Sequence, residues 1–265
     1  MQRLKYIVTF IRQFFLRICA QLTSTPFSEE GSILIIAPHP DDEVLGCGGL
    51  IANQTANKQK TNILFVTKGE ASHNGCCDTS TIEIATQRCH CTISSNEILG
   101  VPKEHLHFLE GEDGSLPRKG QDGFNELALK IASYIEKSKP EIIFCPHPFE
   151  GWSDHMAAEE LTISALKMIK ILPMPPPRLY HYCVWFWYSM PLRKAWHIDW
   201  QNSHLLDISK QTLLKQQAME NYLNALSPCG NPWIGKLPPQ FLRAFNWNKE
   251  LFFEVHINLI SNNNQ

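Results

Sequence analysis

An uninterrupted apolar run, Ile33-Leu34-Ile35-Ile36-Ala37, leads directly into Pro38-His39-Pro40-Asp41-Asp42-Glu43, and this junction constrains the fold more tightly than any other stretch. Five apolar residues without alternation suit a strand covered on both faces, as in a parallel sheet flanked by helices. Open parallel sheets bind ligands beyond the carboxyl ends of their strands, where loops gather polar groups over a rigid base. A histidine and an aspartate three positions apart on such a turn, His39 and Asp42, can converge on one ion. Asp41, between them, can point toward a water held by that ion.

The rest of the chain repeats this alternation. Asn62 to Thr67, His105 to Leu109 and Glu141 to Cys145 are further short apolar runs, and Val44 to Asn57, Thr81 to Leu99 and Asn125 to Lys137 between them have helical character. The clearest helix has Phe124, Leu127, Ala128, Ile131, Tyr134 and Ile135 on one face, and Pro140 stops it. Another helix is expected from about His155 to Ile169. Beyond Pro173 come Pro175-Pro176-Pro177, an aromatic strand-like run from Leu179 to Tyr188, a polar helix from about Ser209 to Leu226, and a last strand from Leu251 to Ile257. The pattern predicts a single Rossmann-like α/β domain with a mainly parallel sheet, flanking helices and a C-terminal elaboration. Residues 1–30 form a lead segment and 31–265 the domain, with no internal repeat.

Composition excludes several classes. A formal net charge of -2 without a basic stripe provides no field for a polyanion, so nucleic acid is not the expected partner. The nine cysteines are scattered, which reads as free thiols in a reducing, cytoplasmic setting. A zinc knuckle from Cys76, Cys77, Cys89 and Cys91 fits no common ligand spacing, and small free thiols are the alternative. From Leu4 to Leu22 the chain is apolar, but Arg12 and Arg17 break both a secretory core and a membrane span. Tyr6, Ile7, Phe10, Ile11, Phe14, Phe15 and Ile18 follow helical spacing, giving an amphipathic helix. It could lie on a membrane surface, or dock on its own domain or on a partner chain in a homo-oligomer.

A second motif, Pro146-His147-Pro148-Phe149-Glu150-Gly151-Trp152-Ser153-Asp154-His155, follows the fourth strand and opens a helix. His155 with His39 and Asp42 would give three protein ligands and leave one position open, as catalytic zinc sites do. The same set suits iron(II), so residue types alone leave Zn2+ and Fe2+ both open, with hydrolysis on one side and iron(II) redox chemistry on the other.

Together the two motifs resemble the PIG-L/LmbE-like de-N-acetylase family, whose first motif is HPDDE after a buried strand and whose second ends in DH. The resemblance extends to Thr67-Lys68-Gly69-Glu70, Arg88, Leu99-Gly100-Val101, Asp113-Gly114-Ser115-Leu116 and Asp207-Ile208-Ser209 with Lys215 and Ala218. It implies His39, Asp42 and His155 as ligands of Zn2+ and Asp41 as the general base activating metal-bound water. The expected reaction is removal of the acetyl group from an N-acetylglucosaminyl or related amino-sugar conjugate. Glu70, Arg88 and Asp113 match positions that bind substrate in relatives. Where many relatives carry a histidine, three positions before the last ligand, this chain has Trp152. Tryptophan cannot donate a proton to the leaving amine. Either His147 or His181 substitutes, with Asp154 in a changed role, or the chain is a weak or inactive carbohydrate-binding homologue that retains the metal site.

Bland readings stand beside these. Asp42 could merely cap a helix, Arg88 could join a salt-bridged helix face, and Glu70 and Asp113 could be solvated loop carboxylates. The aromatics Trp185, Phe186, Trp187 and Tyr188 could be a sugar platform or core. Gly46, Gly48 and Gly49 read as close helix packing, since no G-x-G-x-x-G is present.

Overall fold

The computed structural model describes residues 2–28, 30–75, 78–169, 175–190 and 192–256, without the side chains of residues 2–5 and 192. The chain opens with helix α1 (Gln2–Thr23) and the two-residue strand β1 (Thr25–Pro26). Then come β2 (Ile33–Ala37), α2 (Asp42–Ala56), β3 (Thr61–Thr67), α3 (Thr81–Ile98), β4 (Leu106–Gly111), α4 (Phe124–Ser138), β5 (Ile142–Pro146), α5 (Ser153–Met168) and β6 (Arg178–Tyr182). The C-terminal part adds α6 (Phe186–Ser189), β7 (Ser203–Asp207), α7 (Thr212–Asn224), α8 (Pro239–Leu242) and β8 (Lys249–Val255).

One sheet holds all eight strands in the order β1-β7-β8-β6-β5-β2-β3-β4. From β4 to β6 the neighbours are parallel, while β8 runs antiparallel to both β6 and β7. The chain winds outward from β2 through β3 to β4, then returns to the other side of β2 as β5 and continues to β6. The direction of winding reverses between β2 and β5, and such a switch point is where doubly wound sheets form their ligand crevice. This is the expected Rossmann-like architecture. The apolar run of β2 is explained by its two packed faces. Ile33, Ile35 and Ala37 join the core under α2, α3 and α7, whereas Leu34 and Ile36 join the core under α4 and α5.

Helix α2 lies unusually close to its neighbours. A Cβ at Gly46 would come within 2.4 Å of the Tyr182 ring, and one at Gly49 within 2.3 Å of Ile208. Close packing is therefore the role of these glycines. Midway along α2, the buried Lys215 donates to the Leu45 carbonyl at 2.9 Å and pairs with Glu250 at 2.6 Å. Glu250 in turn accepts from the amides of Gly49 and Leu50. The C-terminal strand β8 is thus joined to the back of α2.

The aromatic run differs from expectation. It leaves the sheet after Tyr182 because the buried Glu150 carboxylate captures the amides of Val184 and Trp185, which then turn into α6. Strand β7 was not apparent in its short, mixed sequence and is held between β1 and β8. Helix α7 starts later than expected because Ser209 donates its amide to Asp207. Ile257 lies outside the described residues, as do Cys76 and Cys77, while Cys89 and Cys91 are free thiols.

Helix α1 docks by a side that mixes polar and apolar residues. Gln13, Leu16 and Ala20 are buried, Arg12 donates to the Tyr188 carbonyl, Gln13 to that of Gln240 at 2.7 Å, and Arg17 to that of Ala244 at 2.8 Å. Phe10, Ile11, Phe14 and Phe15 remain about half exposed on the opposite side. No helix among the described residues is long and apolar enough to cross a membrane.

Candidate metal centre

The turns after β2 and β5 meet at the switch point. His39 and Asp42 come from the first, at the entry of α2, and His155 from the first turn of α5. His39 Nδ1 is 3.1 Å from Asp42 Oδ2, and His155 Nε2 is 3.4 Å from the same oxygen. One ligand atom from each residue lies within 4.8 Å of the other two. Neither ring nitrogen of the fully buried His155 makes a hydrogen bond, although carboxylates approach both. A buried imidazole whose hydrogen bonds are unmade is costly unless something else takes its lone pair, so this donor set fits a divalent ion.

A second group, His39 with Asp113 and Asp154, uses the opposite ring nitrogen of His39. His39 Nε2 is 3.1 Å from both Asp113 Oδ1 and Asp154 Oδ2. These carboxylates are already engaged, because Asp154 accepts from Gly114 N at 2.7 Å and Asp113 from Ala71 N at 2.8 Å. Two acceptors at Nε2 call for its proton there, which leaves the Nδ1 lone pair facing Asp42 and His155. Carboxylates that grip the far nitrogen of a ligating histidine fix its tautomer and orientation. Glu150 stands in the same relation to His155, with Oε2 at 3.4 Å from Nδ1. Glu150 belongs to the second motif, and its place five residues before His155 is the signal the sequence offers for it.

The electrostatics separate the two adjacent aspartates. Burial opposes ionisation of Asp42, but His155 and His39 outweigh it and lower its pKa. Asp41 goes the other way: burial, then the charge of Asp42, push it well above the carboxylate range against the pull of Arg88. Asp113 is held down to about 2, where His39 overcomes the cost of burial. Burial disfavours a charged His39, yet its hydrogen bonds to Asp113, Asp154 and Asp42 hold its pKa well above the usual value. A pocket that binds a proton this firmly is suited to a cation.

Asp41 has a backbone φ of 121°, a costly conformation for a residue with a side chain. The strain is maintained from several sides. Glu43 accepts the Asp41 amide at 2.9 Å, and is itself held by Asn96 and the Tyr222 hydroxyl. Arg88 donates to the carbonyls of Pro40 and Gly69 and approaches Asp41 Oδ1 at 3.4 Å. A Cβ at Gly69 would lie 2.2 Å from the Arg88 guanidinium carbon.

The cluster forms the floor of a cavity of about 240 Å³ whose lining includes His39, Asp41, Asp42, Arg88 and Asp113. Trp152, Trp185, Leu237 and Phe241 form its wall. Trp152 is half exposed and stacks on Trp185, which stacks on Phe241. Of the four consecutive aromatics, Trp185 reaches the cavity, whereas Phe186 and Trp187 are buried in the core. Glu70 sits behind the lining and accepts the Asp113 amide at 3.0 Å. His147 is buried among His181, Phe186 and Phe253, accepts the Phe149 amide, and is not among the residues lining this cavity.

A doubly wound sheet with a histidine and carboxylate centre at its switch point defines the class: a Rossmann-like α/β protein with a cation-binding donor set. The chain belongs to the PIG-L family, described as GlcNAc-PI de-N-acetylase, which matches residues 34–166. A diacetylchitobiose deacetylase of Thermococcus kodakarensis is 34% identical over 145 residues, 53% of this chain and 51% of that protein. The chain thus spans about half the length of this curated relative. The fold is similar to that of the A40926 pseudoaglycone deacetylase Dbv21, with a TM-score of 0.63 at 21% identity over 85% of this chain and 97% of that one. It is also similar to N,N'-diacetylchitobiose deacetylase from Pyrococcus horikoshii, with a TM-score of 0.57 at 22% identity over 74% and 71%.

Proposed function

We propose that this chain is a zinc-dependent N-deacetylase that releases acetate from an N-acetylglucosaminyl or related amino-sugar conjugate. The observation that carries the reading is the convergence of His39 Nδ1, Asp42 Oδ2 and His155 Nε2 beside Asp41 at the floor of one cavity. Membership of a de-N-acetylase family and likeness to a protein named for diacetylchitobiose support the substrate class. His39, Asp42 and His155 would hold the ion. When bound, a divalent ion supplies a Lewis acid that acidifies water and polarises an amide carbonyl.

The remaining steps belong to the protein's own residues. Asp41 accepts a proton from the attacking water, whose oxygen bonds to the acyl carbon. In the next step the C–N bond breaks and the nitrogen takes the proton back to leave as an amine. Among the described residues that line the cavity His39 is the one histidine, so Asp41 serves as both base and acid. Arg88 and Glu43 hold Asp41 in place. Asp154 and Asp113 fix the His39 ring, and Asp113 and Trp152 are the cavity-wall groups available to sugar hydroxyls and ring faces. No step is assigned to His147, and Glu70 acts through the loop that carries Asp113.

Amine release from N-acetylglucosamine conjugates by the zinc-loaded protein tests this. Asp41→Asn is expected to lower the rate by about 10²-fold or more with zinc content unchanged. The stack of Trp152 on Trp185 favours one alternative, a sugar-binding homologue without turnover. Tight binding of acetamido sugars with no amine released by the wild type would select it.

A further inference from the structure

More than half of the large apolar side chains exposed among the described residues lie on α1, including Phe10, Ile11, Phe14, Phe15, Ile18 and Leu22. A helix that docked by its apolar stripe would have hidden them. The opposite roll is locked, because Arg12, Gln13 and Arg17 are committed to main-chain carbonyls of the C-terminal part. From α8's flank, Arg243 lies 5.0 Å over the rings of both Tyr6 and Phe10 and donates to the Tyr6 hydroxyl. The stripe is therefore held outward, and water is a poor neighbour for it.

We propose that α1 is an interfacial anchor that lies flat on an anionic phospholipid surface. Charge favours this occupant over a second copy of the chain. Arg12 and Arg17 are turned inward, so the basic charge described beside the stripe is Arg243, against Tyr6 and Phe10, and the helix has no acidic residue to offset it. A second copy packed stripe to stripe would bring no carboxylate of its own helix to this charge, whereas lipid phosphates neutralise it. Its 22 residues span about 33 Å, so the whole stripe can settle along a headgroup boundary. The anchor is also continuous with the cavity wall. It packs on α6 and α8, and Phe241 of α8 and Trp185, the residue just before α6, line the cavity. Docking thus holds the cavity's aromatic wall next to the membrane, whatever reaction the cavity performs.

Sedimentation of the full-length chain with vesicles tests this independently of any activity. Vesicles of equal parts phosphatidylcholine and phosphatidylglycerol should pull the protein down at low salt, pure phosphatidylcholine much less, and added salt should weaken the binding. The triple variant Phe10→Ser, Phe14→Ser and Phe15→Ser should bind about tenfold less or weaker still, with an unchanged thermal midpoint. If the triple variant does not fold, Ile11→Glu alone should show the same direction of effect. Wild type left in the supernatant, or variants that sediment equally, overturn the proposal. So does a wild-type dimer that the same substitutions split without any vesicle binding, which would make the stripe an interface between copies.

Discussion

Helix α2 carries two buried polar clusters that differ in one respect. Midway along it, Lys215 and Glu250 close on each other and on the backbone, and both oxygens of Glu250 are satisfied by amides. At its N-terminus, Asp41, Asp42 and His39 crowd around a cavity, and the ring nitrogens of the neighbouring His155 are unmatched. Burial and charge are common to both. What marks the second as a candidate site is that His39, Asp41 and Asp42 border a cavity while the buried His155 behind them makes no ring hydrogen bond, whereas the first cluster closes on itself to hold the helix.

Breaking the closed cluster should have the largest effect. Lys215→Met leaves the buried Glu250 without its cationic partner and is expected to cost about 3–5 kcal/mol in urea unfolding. A cost under about 1 kcal/mol would show that the pair does not hold the helix. The open cluster should respond in its ligand instead. Glu150→Gln is expected to weaken zinc binding by about 10- to 100-fold in chelator competition, with the secondary structure retained. Unchanged affinity would mean that Glu150 serves only the Val184 and Trp185 amides.

The smallest effect concerns His147, which has one partner and no cavity. Burial, with help from His181 and Lys194, pushes its pKa well below the usual histidine value. Below about pH 6.5 the unfolded ring takes up a proton that the folded ring refuses, so stability falls as the pH falls, by up to about 1.4 kcal/mol per unit. His147→Gln should flatten thermal midpoints measured between pH 7 and pH 5, taken as an approximate working window. An equally steep dependence in the variant would assign acid sensitivity to another group.

Much of the fold, and the residues here proposed to hold an ion, could be read in the sequence because the information is local. Strands buried on both faces write themselves as apolar runs, and His39, Asp42 and His155 sit within a few residues of a strand end or a helix start. The role of Glu150 is not legible in the sequence, because its contacts reach across to Val184 and Trp185 and depend on how the chain leaves β6. The stripe on α1 was legible from its period, but not which way it faced. Helical spacing is the same for either roll, and the deciding carbonyls belong to Tyr188, Gln240 and Ala244 in turns too short to leave a pattern. Strand β7 escaped for a similar reason: its five residues alternate poorly and gain their place from their neighbours.

The contact between Gly69 and Arg88 has a wider consequence. The guanidinium occupies the volume that any side chain at position 69 would need. A methyl group there would act as a wedge, levering Arg88 off the Pro40 carbonyl and letting the peptide before Asp41 swing toward an easier dihedral. A glycine some thirty residues downstream thereby sets the aim of the Asp41 carboxylate.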